Sequence, residues 1–280
     1  MGVAREPHPW NRGFTWHDHE GPFTTITAEQ AREYDQVGCF VYEDAFDGAE
    51  LRAIDGAIEP GEALVREFLA GRPDGRFSVA GVDTQTVAPH LVKNSEALRD
   101  LCARRPLAGI ARDLLGPDVR LYWEQAVYKQ PHSAEPVLWH QDNGYTFVDP
   151  QAYLTCWIAI TEATLLNGCV TVMPGAHRDG TLAHRSTPIG FECWGDASSA
   201  RAVPVRAGSI VVFTSLTPHF TAPNTTDEVR KAYIVQYAPN GAVAYRPRPD
   251  ASCGPAEPQD DELLQFPVVT GGQLVPAPEI

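Results

Sequence analysis

Basic side chains are scarce. Lys and Arg number 22 against 36 Asp and Glu, a formal net charge of −14, and no run of five basic residues occurs. Binding a phosphate backbone needs a basic face, so the balance argues against nucleic acid as a partner. It argues equally against a polybasic membrane patch. Long apolar runs are missing too, with none near the roughly 20 residues that a membrane span requires. The opening MGVAREPHPW has no apolar leader core, and Glu6 spoils an N-myristoylation pattern. The six cysteines (Cys39, Cys102, Cys156, Cys169, Cys193, Cys253) form no C-x-x-C pair, and most sit in apolar runs such as GCFVY and LTCWIAI. They read as reduced core thiols of an intracellular, cytoplasmic protein.

What is present is ordinary globular composition, 43% hydrophobic over 280 residues, enough for one large β-rich domain or two smaller ones. Residues 1–25, rich in Pro, Trp, His and Gly without periodicity, read as an N-terminal arm. Residues 26–117 read as a helical front region. Thr27 with Gln30, and Asp47 with Glu50, have capping-box spacing, and Leu51, Ile54 and Ile58 recur at helical spacing until Pro60-Gly61, where a break is expected. A third helical stretch covers roughly 95–115. From 118 to 242 the texture changes to about eight short runs of β-formers separated by Gly, Pro, Asn or Asp. With no helix long enough for a crossover, these predict a closed or doubled antiparallel sheet with the helices on one outer face. The Pro-, Asp- and Gly-rich residues 243–280 read as an irregular tail. The fold class is mainly β with flanking helices, in a single domain.

Two His-x-Asp triplets stand out, His140-Gln141-Asp142 and His177-Arg178-Asp179. Nine histidines and 18 aspartates in 280 residues make about 0.6 such triplets expected by chance, so the pattern decides nothing alone. Surroundings separate them. His177 to Asp179 lies in MPGAHRDGT, a turn whose polar side chains cap backbone groups. His140 and Asp142 end the apolar run VLWHQD. Side chains two apart on a strand share a face, and Asn143-Gly144 then lets the chain turn away. That suits a chelating pair.

A third ligand is available in SIVVFTSLTPHFTAPN, where His219 follows an apolar strand; capping a strand end is its simpler reading. Eleven residues on, Arg230 opens the apolar run KAYIVQYAP. A buried arginine needs an anionic partner. A small dicarboxylate held in a bidentate fork would serve, as would a salt bridge to Asp227 or Glu228.

The series WHQDNGY, Trp157, NGCVTVMPGAHRDGTLAH, TPHFTAPN and Arg230 resembles the phytanoyl-CoA dioxygenase family of iron(II)- and 2-oxoglutarate-dependent oxygenases, from about residue 85 to 240. The resemblance implies a double-stranded β-helix (a jelly roll, cupin-like) and Fe(2+) held by His140, Asp142 and His219. It implies 2-oxoglutarate bound by Arg230 with help from Thr221, Trp157 and Gln125, and O2 as second cosubstrate. No catalytic residue beyond the metal ligands is implied. Two departures, the apolar Leu165-Leu166 before Asn167 and Ala176 before the turn histidine, touch none of these positions. Halogenating relatives replace the carboxylate ligand with a small residue, so Asp142 points to hydroxylation or another oxidation.

The partner is a small organic molecule, met by loops at 1–25, 71–92 and 184–200, with Tyr145, His184 and Trp194 as candidate contacts. No basic groove for CoA phosphates is visible, so a tailoring hydroxylase of secondary metabolism is expected ahead of an acyl-CoA oxygenase. A metal-binding cupin-like isomerase or hydrolase, or a non-catalytic jelly-roll binding protein, remains open; neither has a use for Arg230.

Overall fold

The computed structural model describes residues 6–194, 196–248 and 252–280. Two sheets face each other. The larger runs, in spatial order, Cys39–Tyr42, Ile210–Thr214, Leu154–Ala159, Arg230–Pro239, Val119–Lys129, Gln85–Pro89, with the hairpin Arg76–Phe77 and Ala80–Gly81 beyond. The smaller runs Arg201–Val203, Val170–Val172, His219–Thr221, Val137–His140. Every pairing is antiparallel. This is the jelly roll expected from the turn-punctuated β-formers.

Strand periodicity decides what each face carries. Leu154, Cys156 and Ile158 turn outward with Tyr233, Val235 and Tyr237. There they pack on four helices: α1 (Ala28–Val37), α2 (Gly48–Ala70), α3 (Glu96–Ala103) and α4 (Leu107–Leu115). Thr155, Trp157, Ile234 and Gln236 turn inward and line a cavity. A bulge sharpens this division. Gln236 pairs with Trp123 but Tyr237 pairs with Leu121, so Tyr122 is unmatched, and Tyr122 and Trp123 both reach the cavity wall.

Both capping boxes form. Thr27 accepts from the Gln30 amide and Asp47 from the Ala49 and Glu50 amides, while the Gln30 and Glu50 side chains return to the cap amides. Pro60 does not break its helix: α2 continues to Ala70. Pro60 and Gly56 are exposed, so the carbonyl that loses its donor is hydrated while Ile54, Ile58 and Leu69 stay packed. Gly61 is needed for another reason, since a Cβ there would lie 2.2 Å from Leu91 Cδ2.

Two sequence boundaries need correction. The 26–117 region is not only helical: Cys39–Tyr42 forms the strand expected of CFVYED, and the unexpected Arg76–Phe77, Ala80–Gly81 and Gln85–Pro89 join it in the main sheet. The 243–280 tail is not irregular. Val243–Pro247 and Cys253–Pro258 form a sheet with Phe147–Asp149, and Pro267–Thr270 adds to Val119–Lys129 with Phe266, Val268 and Val269 buried. Proline hid these strands from a composition reading, yet prolines at strand ends and edges interrupt no ladder. Among the described residues no helix is long and apolar enough to cross a membrane.

Candidate active site

His140 ends one strand of the smaller sheet and His219 begins its neighbour, directly opposite in register. Asp142 opens the single 3-10 turn Asp142–Gly144 that follows. One ligand atom from each of the three lies within 4.8 Å of the others. His140 Nδ1 is 2.7 Å from the Leu138 carbonyl, and His219 Nδ1 is 3.0 Å from that of Thr217. A carbonyl only accepts, so each Nδ1 carries the hydrogen and each Nε2 keeps its lone pair. The two Nε2 atoms face Asp142 Oδ1 at 3.8 and 3.7 Å. Burial drives the His140 pKa well below the usual histidine value, with His219 adding to the effect. The second carboxylate oxygen of Asp142 accepts from Thr155 Oγ1 (2.6 Å) and Gln236 Nε2 (2.9 Å), which fixes the plane of the group.

The triad therefore has the donors that iron(II) takes from a facial two-histidine, one-carboxylate set. Its surroundings fit as well. Gln141, fully buried between two of the three, donates to the carbonyls of Gly180 and Leu216 and accepts from the Leu182 amide. Its side chain thus ties the His140–Asp142 segment to the turn that leads into His219.

Arg230 opens its strand 1% exposed. Its guanidinium lies 5.1 Å from the Trp157 ring centre, Nη1 donates to the Gly168 carbonyl at 3.3 Å, and Nε has no hydrogen-bond partner. Neither acidic neighbour takes it; Asp227 pairs with His132 instead. Burial lowers the Arg230 pKa to about 10. Lys129, its register partner, is equally buried and donates to Thr221 Oγ1 (2.9 Å) and to the Thr221 and Ala222 carbonyls. Burial, then the neighbouring Arg230, lowers the Lys129 pKa to about 6. Among the described residues no carboxylate faces Arg230, and a buried guanidinium with a free Nε is suited to receive an anion.

The triad and Arg230 open into one cavity of about 660 Å³, which Trp157, Thr221, Gln125 and Tyr145 also line. Gln125 Oε1 accepts from the Trp123 indole. Tyr145 packs edge-on against His140, ring centres 5.2 Å apart.

His184 and Trp194 do not line it. His184 Nδ1 donates to the Leu182 carbonyl, and Nε2 accepts from the Gln141 amide at 2.9 Å, so both nitrogens serve the backbone behind the His140–Asp142 segment. Trp194 packs with Trp139, Met173 and Ala176, its indole donating to the Asp196 carbonyl. His177 also stays apart, in the 3-10 turn Ala176–Asp179, where it meets the Asp35 carbonyl.

Sequence reading missed Lys129, Thr155, Gln236 and Gln141. Parity along the strands was the available signal for two of them. Thr155 lies two before Trp157 and Gln236 six after Arg230, so both share those residues' faces. Lys129 could be found only through its pairing with Arg230, a long-range contact.

The phytanoyl-CoA dioxygenase (PhyH) family model matches residues 34–232. A phytanoyl-CoA dioxygenase domain-containing protein 1 homolog from Caenorhabditis briggsae is 27% identical over 73% of this chain and 88% of its own. A probable alpha-ketoglutarate-dependent hypophosphite dioxygenase from Stutzerimonas stutzeri is 25% identical over 75% of this chain and 78% of its own. Among solved structures, the non-heme alpha ketoglutarate dependent carbocyclase SnoK from nogalamycin biosynthesis is similar with a TM-score of 0.67 and 28% identity. That likeness covers 87% of this chain and 98% of SnoK.

Proposed function

This chain belongs to the phytanoyl-CoA dioxygenase family, and from that premise we propose that it oxidises an unactivated C–H bond of a small organic molecule in secondary metabolism. It is a 2-oxoglutarate-dependent non-haem iron oxygenase. The observation that carries the finer reading is a coincidence within one cavity: three metal-type donors at one wall, and a buried arginine with an unpartnered Nε at another.

In this reading His140, Asp142 and His219 hold iron(II), and their placement on one side leaves the cavity side open to cosubstrates. Iron with 2-oxoglutarate and dioxygen supplies the oxidant for the C–H bond, with release of succinate and carbon dioxide. The chain's own residues position and shield. Thr155 and Gln236 stop Asp142 from rotating, and the Leu138 and Thr217 carbonyls hold the two imidazoles with Nε2 forward. Arg230 offers a fork to the distal carboxylate of 2-oxoglutarate, and Lys129 with Thr221 lies beside it. Trp157 and Gln125 close the walls of this end. Tyr145, against His140, borders the place where substrate meets the oxidant. Because Asp142 fills a ligand position that halogenation leaves to halide, oxidation without halogen transfer is favoured.

Anaerobic addition of iron(II) and 2-oxoglutarate to metal-free protein is expected to give a weak visible charge-transfer band. Arg230→Met should require at least tenfold more 2-oxoglutarate for the same band, and His140→Ala should show none. Iron binding without any band would leave the triad standing and remove the cosubstrate assignment, bringing a zinc or cupin-like hydrolase forward.

A further inference from the structure

The cavity is far less polar at its mouth than at its metal end. The inner end holds the triad, Trp157 and Arg230, nearly inaccessible to solvent. Its outer wall is formed by Phe68 and Leu69 of α2, Phe77 and Val79 of the 76–81 hairpin, Val87, and Trp123. Phe68 and Phe77 meet edge to face at 5.7 Å and are half exposed, so the mouth opens between α2 and the hairpin.

Charge is absent from this outer wall. Among the described residues lining the cavity, Arg230 is the only lysine or arginine and Asp142 the only carboxylate. Two arginines stand nearby at the rim, and both are engaged. Arg72 lies over the Phe68 and Phe77 rings, 5.6 and 5.4 Å from their centres. Arg76 forms a two-point pair with Glu135 at 2.7 and 2.9 Å. The indole N–H of Trp123 is satisfied by Gln125, so that side chain offers its ring rather than a donor.

An anion entering this space would be desolvated with only the ring-stacked Arg72 and the Glu135-paired Arg76 at the rim, and a cation would find no carboxylate outside the triad among the described lining residues. Either loss is several kcal/mol or more. A neutral molecule with aromatic or conjugated rings loses little on entry and gains contact with the Phe68, Phe77 and Trp123 rings. The volume is in the range of drug-sized ligands.

Resting on the oxygenase reading, we infer that the substrate is a neutral, largely apolar, multi-ring molecule that enters between α2 and the 76–81 hairpin, not a phosphonate, carboxylate, amino acid or CoA ester. The cosubstrate's charge belongs at the Arg230 end; the substrate brings none of its own to the outer wall.

The test uses intact protein and two probes that differ in charge, 2-(hydroxymethyl)anthraquinone and anthraquinone-2-sulfonate, followed by quenching of tryptophan fluorescence. The neutral probe is expected to bind at least tenfold tighter, and Trp123→Phe should remove most of its quenching. Val79→Lys, which places a cation on the outer wall, should reverse the order of the two probes. Equal or tighter binding of the sulfonate by the unaltered protein, or binding of neither probe, would overturn the inference. The iron and 2-oxoglutarate band, recorded on the same preparation, separates the two ideas. A band without probe binding removes the substrate class alone. Probe binding without a band removes the oxygenase mechanism and leaves the chemistry of the cavity intact.

Discussion

Lys129 and Arg230 sit side by side, buried, in a protein whose net charge is −14. With its pKa lowered to about 6, the lysine is mostly neutral at pH 7.5 while the site holds no anion. A dicarboxylate beside it favours the charged form and raises that pKa again. The sign follows: 2-oxoglutarate binding should take up a proton at pH values above about 6, approaching one per site near pH 7.5. Calorimetry in two buffers of different ionisation heat measures this directly, and zero uptake would show that Lys129, beside Arg230, does not sense the cosubstrate's charge. Lys129→Met should abolish the uptake and weaken binding roughly 10–100-fold, the worth of a hydrogen bond to a charged group. At this scale the sequence was readable where a residue type announces its chemistry. The pairing of His140 with Asp142 could be anticipated from donor type and strand parity, whereas His219 and Arg230 were joined to it by the resemblance to the family. His184 and Trp194 could not be told apart from cavity residues, because their partners, the Gln141 amide and the Trp139 cluster, lie about 40 to 55 residues away.

Among the elements, the short turn Asp142–Gly144 is the most constrained. A Cβ on Gly144 would fall 2.0 Å from the His184 ring, and that ring is pinned by the Leu182 carbonyl and the Gln141 amide. Gly144→Ala should therefore displace the ring, release the Gln141 amide and loosen the His140–Asp142 pair. Iron affinity is expected to fall roughly 10–100-fold with circular dichroism unchanged, as happens when groups supporting metal ligands are lost. His184→Ala makes room for the added methyl. The double variant should bind iron no worse than His184→Ala alone; independent, additive losses would show that the two residues do not act through one contact. Element reading succeeded where signals are local, as with the capping boxes of α1 and α2. It failed at Pro60, where solvent exposure tolerates the missing hydrogen bond, and after residue 243, where strands exist only because Phe147–Asp149 and Val119–Lys129 are there to pair with them.

For the whole molecule, the site acts as a clasp between the sheets. His140 and His219 come from the smaller sheet, while Thr155 and Gln236, which hold Asp142, come from the larger. A metal that binds only when these are assembled stabilises the fold by mass action, about 2.7 kcal/mol at a hundredfold excess over its dissociation constant. For a domain of this size that is a melting-temperature rise of roughly 5–10 °C. Iron(II) under argon should produce it, a chelator should reverse it, and His219→Ala should show none. A different consequence follows from the order of strands. Among the described residues Cys39–Tyr42 pairs only with Ile210–Thr214, which a ribosome adding 5–20 residues per second reaches roughly ten to thirty seconds later. Throughout that interval an apolar segment has no strand beside it. The helices made early thus have a temporary duty, keeping Phe40 and its neighbours out of water, and away from other nascent chains, until the partner arrives.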